Sequence, residues 1–344
     1  YNVAINLNTI TDSNTMFSRR VFDCLACGTC IMSNYSKGVE KLFSDVVKFV
    51  DNQKEAELFL EKVINDELYR NKLGALGIRK VIDQNKYSDR LKYIGNIIGL
   101  NIKEGDTKKV SVVVSTNRPK NMDMVFVNFV KQTYPYKELI IILNNDNMTL
   151  DEWEKKAKEY PNEDIRIFKL PNKTPLGSCL NYALDRAKYD YMCKMDDDDI
   201  YTKYYLEDEL IYFDYTEASI IGKNTFYAYF KDTNKLALRY PNKEYMYTNL
   251  IAGSAMIFKR EVYEAVRFND RLNVSEIADF LQGAMAKGFK IFSTNRFNHA
   301  VVRRDDLSSH TWQENEKYYL QRCSIINQNC HYYNMENYIN FRIN

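Results

Sequence analysis

The chain has 344 residues, a length that suits two domains or three. Hydrophobic residues make up 45% and charged residues 27%, with a formal net charge of +2. This is ordinary globular composition, with no pull toward nucleic acid or another polyanion. No run reaches the roughly 18 apolar residues of a membrane span, and no secretory signal pattern opens the chain.

The first hundred residues alternate strand and helix. Val3-Ala4-Ile5-Asn6-Leu7 predicts a strand, and Ser13 to Ala26 holds a helix with Phe17, Val21, Phe22 and Leu25 on one face. Gly28 ends that helix. Strands follow at 29–33 and 46–50 with a short helix at 38–43 between them, then a helical pair from about Glu55 to Ile98. The order predicts a small parallel sheet. The chain opens on Tyr1, in the middle of what reads as a strand, so a fragment of a longer protein is expected. Cys24, Cys27 and Cys30 make a C-x2-C-x2-C run with no fourth ligand at suitable spacing, so they are read as small buried thiols. Seven free cysteines fit a reducing compartment. The expected location is the cytoplasm, or the inner face of a membrane as a peripheral protein.

Residues 101–108 read as a polar linker, 109–310 as a second α/β domain, and 311–344 as a helical tail with a helix over 315–328. In the second domain Val110 to Val114 is an almost unbroken β-branched run, the mark of a buried parallel strand. A helix over 122–132, a strand over 138–143, a helix over 150–159 and a strand over 165–170 come next. A further helix runs to Ala187, with Ser178 as its N-cap. The strand after it, Tyr189 to Met195, leads into Asp196-Asp197-Asp198-Asp199. Further strands are expected at 218–221, 225–230, 255–258, 290–293 and 297–302, with helices at 260–266 and 276–287.

Alone, the four acids read equally well as a solvated turn or as a site for a hard divalent cation. Their position decides more. Three strands of this domain end in polar loops, Thr116-Asn117-Arg118, Asn144-Asn145-Asp146 and the acid run, and open α/β sheets bind ligands beyond such strand ends. A nucleoside diphosphate held through a divalent metal would use all three.

Two resemblances follow from these stretches. Asn8 to Ser13 with Arg20 to Gly28 resembles the C-terminal half of GT-B glycosyltransferases of the CgeB-like group. A working GT-B site needs two Rossmann domains, so residues 1–100 are expected to be a partial module with a structural, assembly or acceptor-docking role. Residues 109–310 resemble the GT-A, family 2 glycosyltransferases. The similarity rests on Val-Ser-Val-Val-Val-Ser-Thr-Asn-Arg-Pro, Glu-Leu-Ile-Ile-Ile-Leu-Asn-Asn-Asp, Gly177, Asn181, the acid run, Ala252 to Met256, and Phe268-Asn269-Asp270. It implies an inverting, Mn2+- or Mg2+-dependent transfer from a nucleotide sugar, with a UDP-sugar as the expected donor, to a hydroxyl on a bacterial surface, cell-wall or spore glycan. Under it Asp198 binds metal, Asp196 contacts the ribose side, and Asp197 and Asp199 line the donor site. Thr116, Asn117, Arg118, Asn144 and Asn145 face uracil and ribose. Where the family commonly reads Glu-Asp-x-Asp, this chain has Glu276-Ile277-Ala278-Asp279. The general base is therefore Glu276 or Asp279, with Asp279 preferred. Arg303 or Arg304 would neutralise phosphate, and His310 would join the metal or diphosphate. His299 reads as structural. A homo-oligomer is left open. The alternatives are a degenerate module that binds glycan or a partner protein, and a nucleotidyltransferase, against which the lack of a Gly-rich, Lys-containing phosphate loop counts.

Overall fold

The computed structural model describes residues 1–100, 102, 107–271, 276–304 and 316–342. The chain divides into two compact units, Tyr1–Gly105 with Phe341–Asn344, and Asp106–Asn340.

The first unit has strands β1 (Val3–Asn6), β2 (Cys30–Ser33) and β3 (Val47–Phe49), paired in parallel in that order. Helices α1 (Arg20–Ala26) and α2 (Lys37–Phe43) cross between them, and α3 (Gln53–Asn65), α4 (Glu67–Gln84) and α5 (Tyr87–Ile97) follow. The expected helical pair is thus three helices. Asp66 breaks the first from the second by taking an extended backbone and capping Tyr69 N through its carboxylate. Val21, Leu25, Ile31, Val39, Phe43, Phe59 and Val63 form the core. Gly28, at φ +71°, closes α1 in the left-handed conformation that a Cβ would strain. Of the three spaced cysteines only Cys30 is buried. Cys24 is half-buried and Cys27 exposed, because a seven-residue helix turns just one stripe, Val21 and Leu25, fully inward.

The second unit is a mixed α/β domain. In chain order it holds β4 (Val110–Thr116), α6 (Met122–Val130), β5 (Lys137–Leu143), α7 (Leu150–Ala157), β6 (Ile165–Lys169), α8 (Leu176–Leu184), β7 (Tyr191–Lys194), β8 (Ile200–Tyr201) and α9 (Tyr205–Leu210). Then come β9 (Ile220–Gly222), β10 (Phe226–Phe230), β11 (Lys235–Arg239), β12 (Met246–Tyr247), β13 (Met256–Lys259), α10 (Arg260–Ala265), α11 (Glu276–Ala286), β14 (Ile291–Ser293) and β15 (His299–Arg303). The described chain closes with α12 (Glu316–Leu320), β16 (Cys323–Asn327) and α13 (Glu336–Ile339). An eight-stranded sheet runs β12-β14-β9-β13-β7-β4-β5-β6, and a five-stranded sheet runs β16-β11-β10-β15-β8. The β6-β5-β4-β7 part is parallel, and β13 joins β7 antiparallel. Strand order reverses between β4 and β7, so the crevice lies beyond their carboxyl ends. In β5, Leu139 to Leu143 are all fully buried, each contributing about 1.5–3 kcal/mol over exposure.

Three expectations need correction. The helix expected over 315–328 is the short α12 followed by strand β16, because Ser324-Ile325 pair with the open edge of β11 at Leu238 and Ala237. Strand β11 was missed altogether. It forms a hairpin with β10 around Asn234, whose φ of 50° suits a tight turn. Ser178 is no N-cap, since α8 begins two residues earlier, after Pro175.

Candidate active site

The site is built where β4 and β7 end side by side. Thr116, the last residue of β4, donates from Oγ1 to Asp197 Oδ2 at 2.5 Å. The next loop turns Arg118 back over the acids. Its backbone N–H donates to Thr116 Oγ1 at 3.1 Å. Its Nη1 reaches Asp197 Oδ1 at 2.7 Å and Asp198 Oδ2 at 2.9 Å. Arg304 Nη1 meets the same Asp198 oxygen at 3.1 Å. Asp196 pairs with the buried Lys194. Asp199 accepts Val302 N–H at 3.0 Å and lies 3.4 Å from His299 Nε2, and its own carbonyl takes Asn128 Nδ2 at 2.9 Å. Three cations therefore share the charge of the run.

Burial and the crowding of like charges still dominate at its centre. Burial pushes the carboxyls of Asp198 and Asp199 well above the usual range. Asp199 adds to the push on Asp198, and Asp196 to that on Asp199, while Arg118 pulls Asp198 back. Burial pushes the Lys194 amine down, but Asp196, Glu276 and Asp199 outweigh it and hold the cation. Among the described residues no three His, Cys, Asp or Glu side chains could hold a metal alone. The hard carboxylates present suit an ion shared with a bound diphosphate, which Mg2+ takes through one or two carboxylates plus phosphate oxygens.

The second loop is amide-lined. Asn144 Nδ2 donates to Thr174 O at 2.9 Å, while its Oδ1 is buried with no hydrogen-bond partner. Asn145 Nδ2 donates to Asn117 O at 2.8 Å, and Asn117 is exposed.

On the other side, α11 carries Glu276 and Asp279 one turn apart. Asn269 Nδ2 donates to Asp279 Oδ2 at 2.9 Å. Asn181 staples the loop that presents Asn269, giving Nδ2 to Phe268 O at 2.9 Å and taking Phe268 N–H at 3.1 Å. Gly177 allows the close approach, since a Cβ there would stand 1.7 Å from Asn269 O.

Arg303 is buried with its guanidinium 4.8 Å from the Tyr319 ring centre, and Arg304 reaches Asp198. His310 lies outside the described residues, as do five of the eight positions in the 101–108 linker. Sequence reasoning missed Lys194, Tyr201 and Ser254, and read His299 only as structural. Tyr201 OH takes Asp196 N–H at 2.8 Å and donates to Ser254 O at 2.6 Å, and Ser254 Oγ lies 3.1 Å from His299 Nε2. A lysine two residues before an acid run was the visible signal. Nothing in the sequence brings Ser254 and His299 together.

Residues 111–267 match the family model "Glycosyl transferase family 2", and residues 2–96 match "Glycosyl transferase-like". The O-antigen biosynthesis glycosyltransferase WbnJ of Escherichia coli is 29% identical over 161 residues, 44% of this chain and 62% of that protein. The match thus spans less than two thirds of that relative's length. An uncharacterized glycosyltransferase of Methanocaldococcus jannaschii, MJ1057, is 26% identical over 222 residues, 60% of this chain and 75% of that protein. Among solved structures, S. aureus TarS 1-349 with UDP-GlcNAc aligns at a TM-score of 0.47 and 18% identity, over 59% of this chain and 61% of that one. The mannosyltransferase PcManGT of Pyrobaculum calidifontis, with GDP-Man and Mn2+, aligns at a TM-score of 0.45 and 15% identity, over 69% and 68%. By the family models, then, residues 111–267 match glycosyl transferase family 2, and a glycosyl transferase-like segment matches at 2–96.

Proposed function

We propose that the chain transfers a sugar, with inversion, from a UDP-linked donor to a hydroxyl of a bacterial surface, cell-wall or spore polysaccharide. The observation that carries this is the meeting of Thr116 and Arg118 with Asp197 and Asp198 across the β4/β7 crevice of a family 2 domain. The WbnJ relative supports a polysaccharide product. The unpartnered Asn144 Oδ1 supports uracil, because it can accept the N3–H of the base. Asn117 and Asn145 line the ribose side with Asp196.

Asp198, with Asp196 beside it in the run, would hold Mn2+ or Mg2+. When bound, that ion supplies positive charge to the diphosphate as it leaves. Arg118 and Arg304 add guanidinium charge at the same place, which suits phosphate oxygens. The acceptor hydroxyl attacks the anomeric carbon and gives its proton to a carboxylate as the bond to the diphosphate breaks. Glu276 is the stronger candidate for that base, because its charge acts on Lys194 beside the acid run while Asp279 is tied to Asn269. Asp199 is held by Val302 and His299 and fixes the run from behind.

The test is hydrolysis and transfer of UDP-sugars with Mn2+. Wild type should turn over a UDP-sugar, and Asp198→Ala should cut the rate by a factor on the order of 100. Equal rates in both proteins, or no turnover of any nucleotide sugar, would remove the proposal. Ile277, at the place of the family's first Asp, favours a binding-only module as the second reading.

A further inference from the structure

Away from the acid run, the same unit presents an aromatic surface. Tyr212 is its buried hub. Its ring centre lies 5.4 Å from that of Tyr215, 6.3 Å from Tyr245 and 5.9 Å from Phe292, and Phe292 meets Tyr247 edge-on at 5.3 Å. The outer rings Tyr215, Tyr245 and Tyr247 are 39%, 41% and 48% exposed. Met246 and Leu250, in the same segment, are 40% and 46% exposed. Exposed aromatic and apolar side chains gathered around one buried hub are the kind of surface that marks an interaction site.

The backbone holds the patch out at a cost. Tyr240, Asn242 and Tyr245 have φ of 46°, 66° and 55°, in the left-handed region that costs a non-glycine residue about 1–2 kcal/mol. Buried anchors enforce it. Thr225 Oγ1 donates to Tyr240 O at 2.6 Å and accepts Lys243 N–H at 2.9 Å. Glu244 takes Arg296 N at 2.7 Å, Nε at 2.8 Å and Nη2 at 2.5 Å. Tyr245 therefore leaves a fixed ion pair in a strained conformation, with the residue partly exposed. Tyr247 is braced as well, its hydroxyl accepting Glu217 N–H at 3.0 Å.

The chemistry of the patch selects its occupant. A tyrosine ring offers a negative π face and a hydroxyl tip. A pyranose has a face of weakly positive C–H bonds, and so matches the ring face. Glu244 is neutralised by Arg296 and Glu217 by Lys290, which favours a neutral partner beside them. The segment is also continuous with the active site, running from Tyr247 to Ser254, whose Oγ contacts His299.

We propose that Tyr215, Tyr245 and Tyr247 form a stacking platform for a neutral oligosaccharide, the part of the acceptor that extends beyond the reacting hydroxyl. This rests on the transferase reading for the role of the glycan, but the binding is measured separately. The probe is a printed array of neutral and anionic oligosaccharides, read with the full chain. Wild type should be retained on neutral oligosaccharides. The triple variant Tyr215→Ala, Tyr245→Ala, Tyr247→Ala should lose at least tenfold of that signal while hydrolysing a UDP-sugar within twofold of wild type. A triple Tyr→Phe variant keeps the rings and should retain capture, which separates stacking from a folding defect. Capture by a wild type that hydrolyses no nucleotide sugar would sustain the platform and sink the transferase reading. No capture by wild type, capture of anionic glycans alone, or equal capture by the alanine triple would overturn the platform. So would a patch-dependent change in sedimentation with no glycan retained, which would make the surface a self-association face.

Discussion

At the scale of single residues, the acids do unequal jobs because their surroundings differ. Asp197 is fixed by a hydroxyl and a guanidinium, Asp198 lies under two guanidiniums, Asp196 faces the Lys194 ammonium, and Asp199 points back at His299. His299 is fully buried. Burial first, then Lys223 and Lys194, push its imidazole down to about 3, with Asp196 opposing them. It is therefore neutral in the folded protein at pH values where the unfolded chain would bind a proton. The stability this gives is present above the ordinary histidine value near 6.5 and is lost as pH falls from there toward 3. The expected size is on the order of 4 kcal/mol across that window. Denaturant unfolding of wild type and His299→Gln from pH 7 to 4 measures it. The wild-type curve should fall more steeply, and parallel curves would refute the assignment. The difference between the two proteins is what counts, because Asp198 and Asp199 are shifted in the opposite sense and appear in both.

At the scale of elements, the placement of Asp279, the second carboxylate of α11, depends on a glycine in a different helix. Gly177 lets the Asn269 loop touch α8, and Asn269 in turn holds Asp279 on α11. Gly177→Ala should destabilise the protein by about 1–3 kcal/mol, the usual cost of forcing volume into a packed contact. It should also lower kcat more than it raises the KM for donor, because the shift is on the α11 side. Urea unfolding and steady-state kinetics would show both, and an unchanged midpoint would mean that the loop relaxes freely. Gly177 and Asn181 could be singled out from the sequence, though the reason for them could not. The parallel strands of the second unit were legible because Val112 to Val114 and Leu139 to Leu143 are continuous apolar runs. The short strands β8, β11, β12 and β16 were not. Their residues carry mixed signals, and pairing with distant neighbours decides them. The acid run was legible as a site, with Lys194 two residues before it, but its arginine counter-charges were not, since Arg118 and Arg304 become its partners only when separate strand ends converge.

At the scale of the whole molecule, each unit has its own hydrophobic core and its own sheet. A ligand bound only to the native second unit should raise the stability of that unit and leave the first where it was. The gain is about 2.7 kcal/mol at a donor concentration one hundred times its Kd. Calorimetry with a UDP-sugar and Mn2+ should therefore move one transition upward, and the same experiment with a GDP-sugar should move it less. Equal shifts with the two nucleotides would argue against uracil at Asn144. A shift of both transitions together would mean that the two cores unfold as one.

The acid run also bridges the two sheets of its unit. Strand β7 ends at Lys194 in the eight-stranded sheet, and β8 begins at Ile200 in the five-stranded one. Side chains alternate along a strand, so one residue gained or lost in this bridge would turn β8 inside out. Ile200 and Tyr201 would exchange faces, and the Tyr201 hydroxyl would leave Asp196 N–H. The stretch is thus a ruler of fixed length. Across related chains its amino acids can drift at the unpaired places, while its residue count should stay constant.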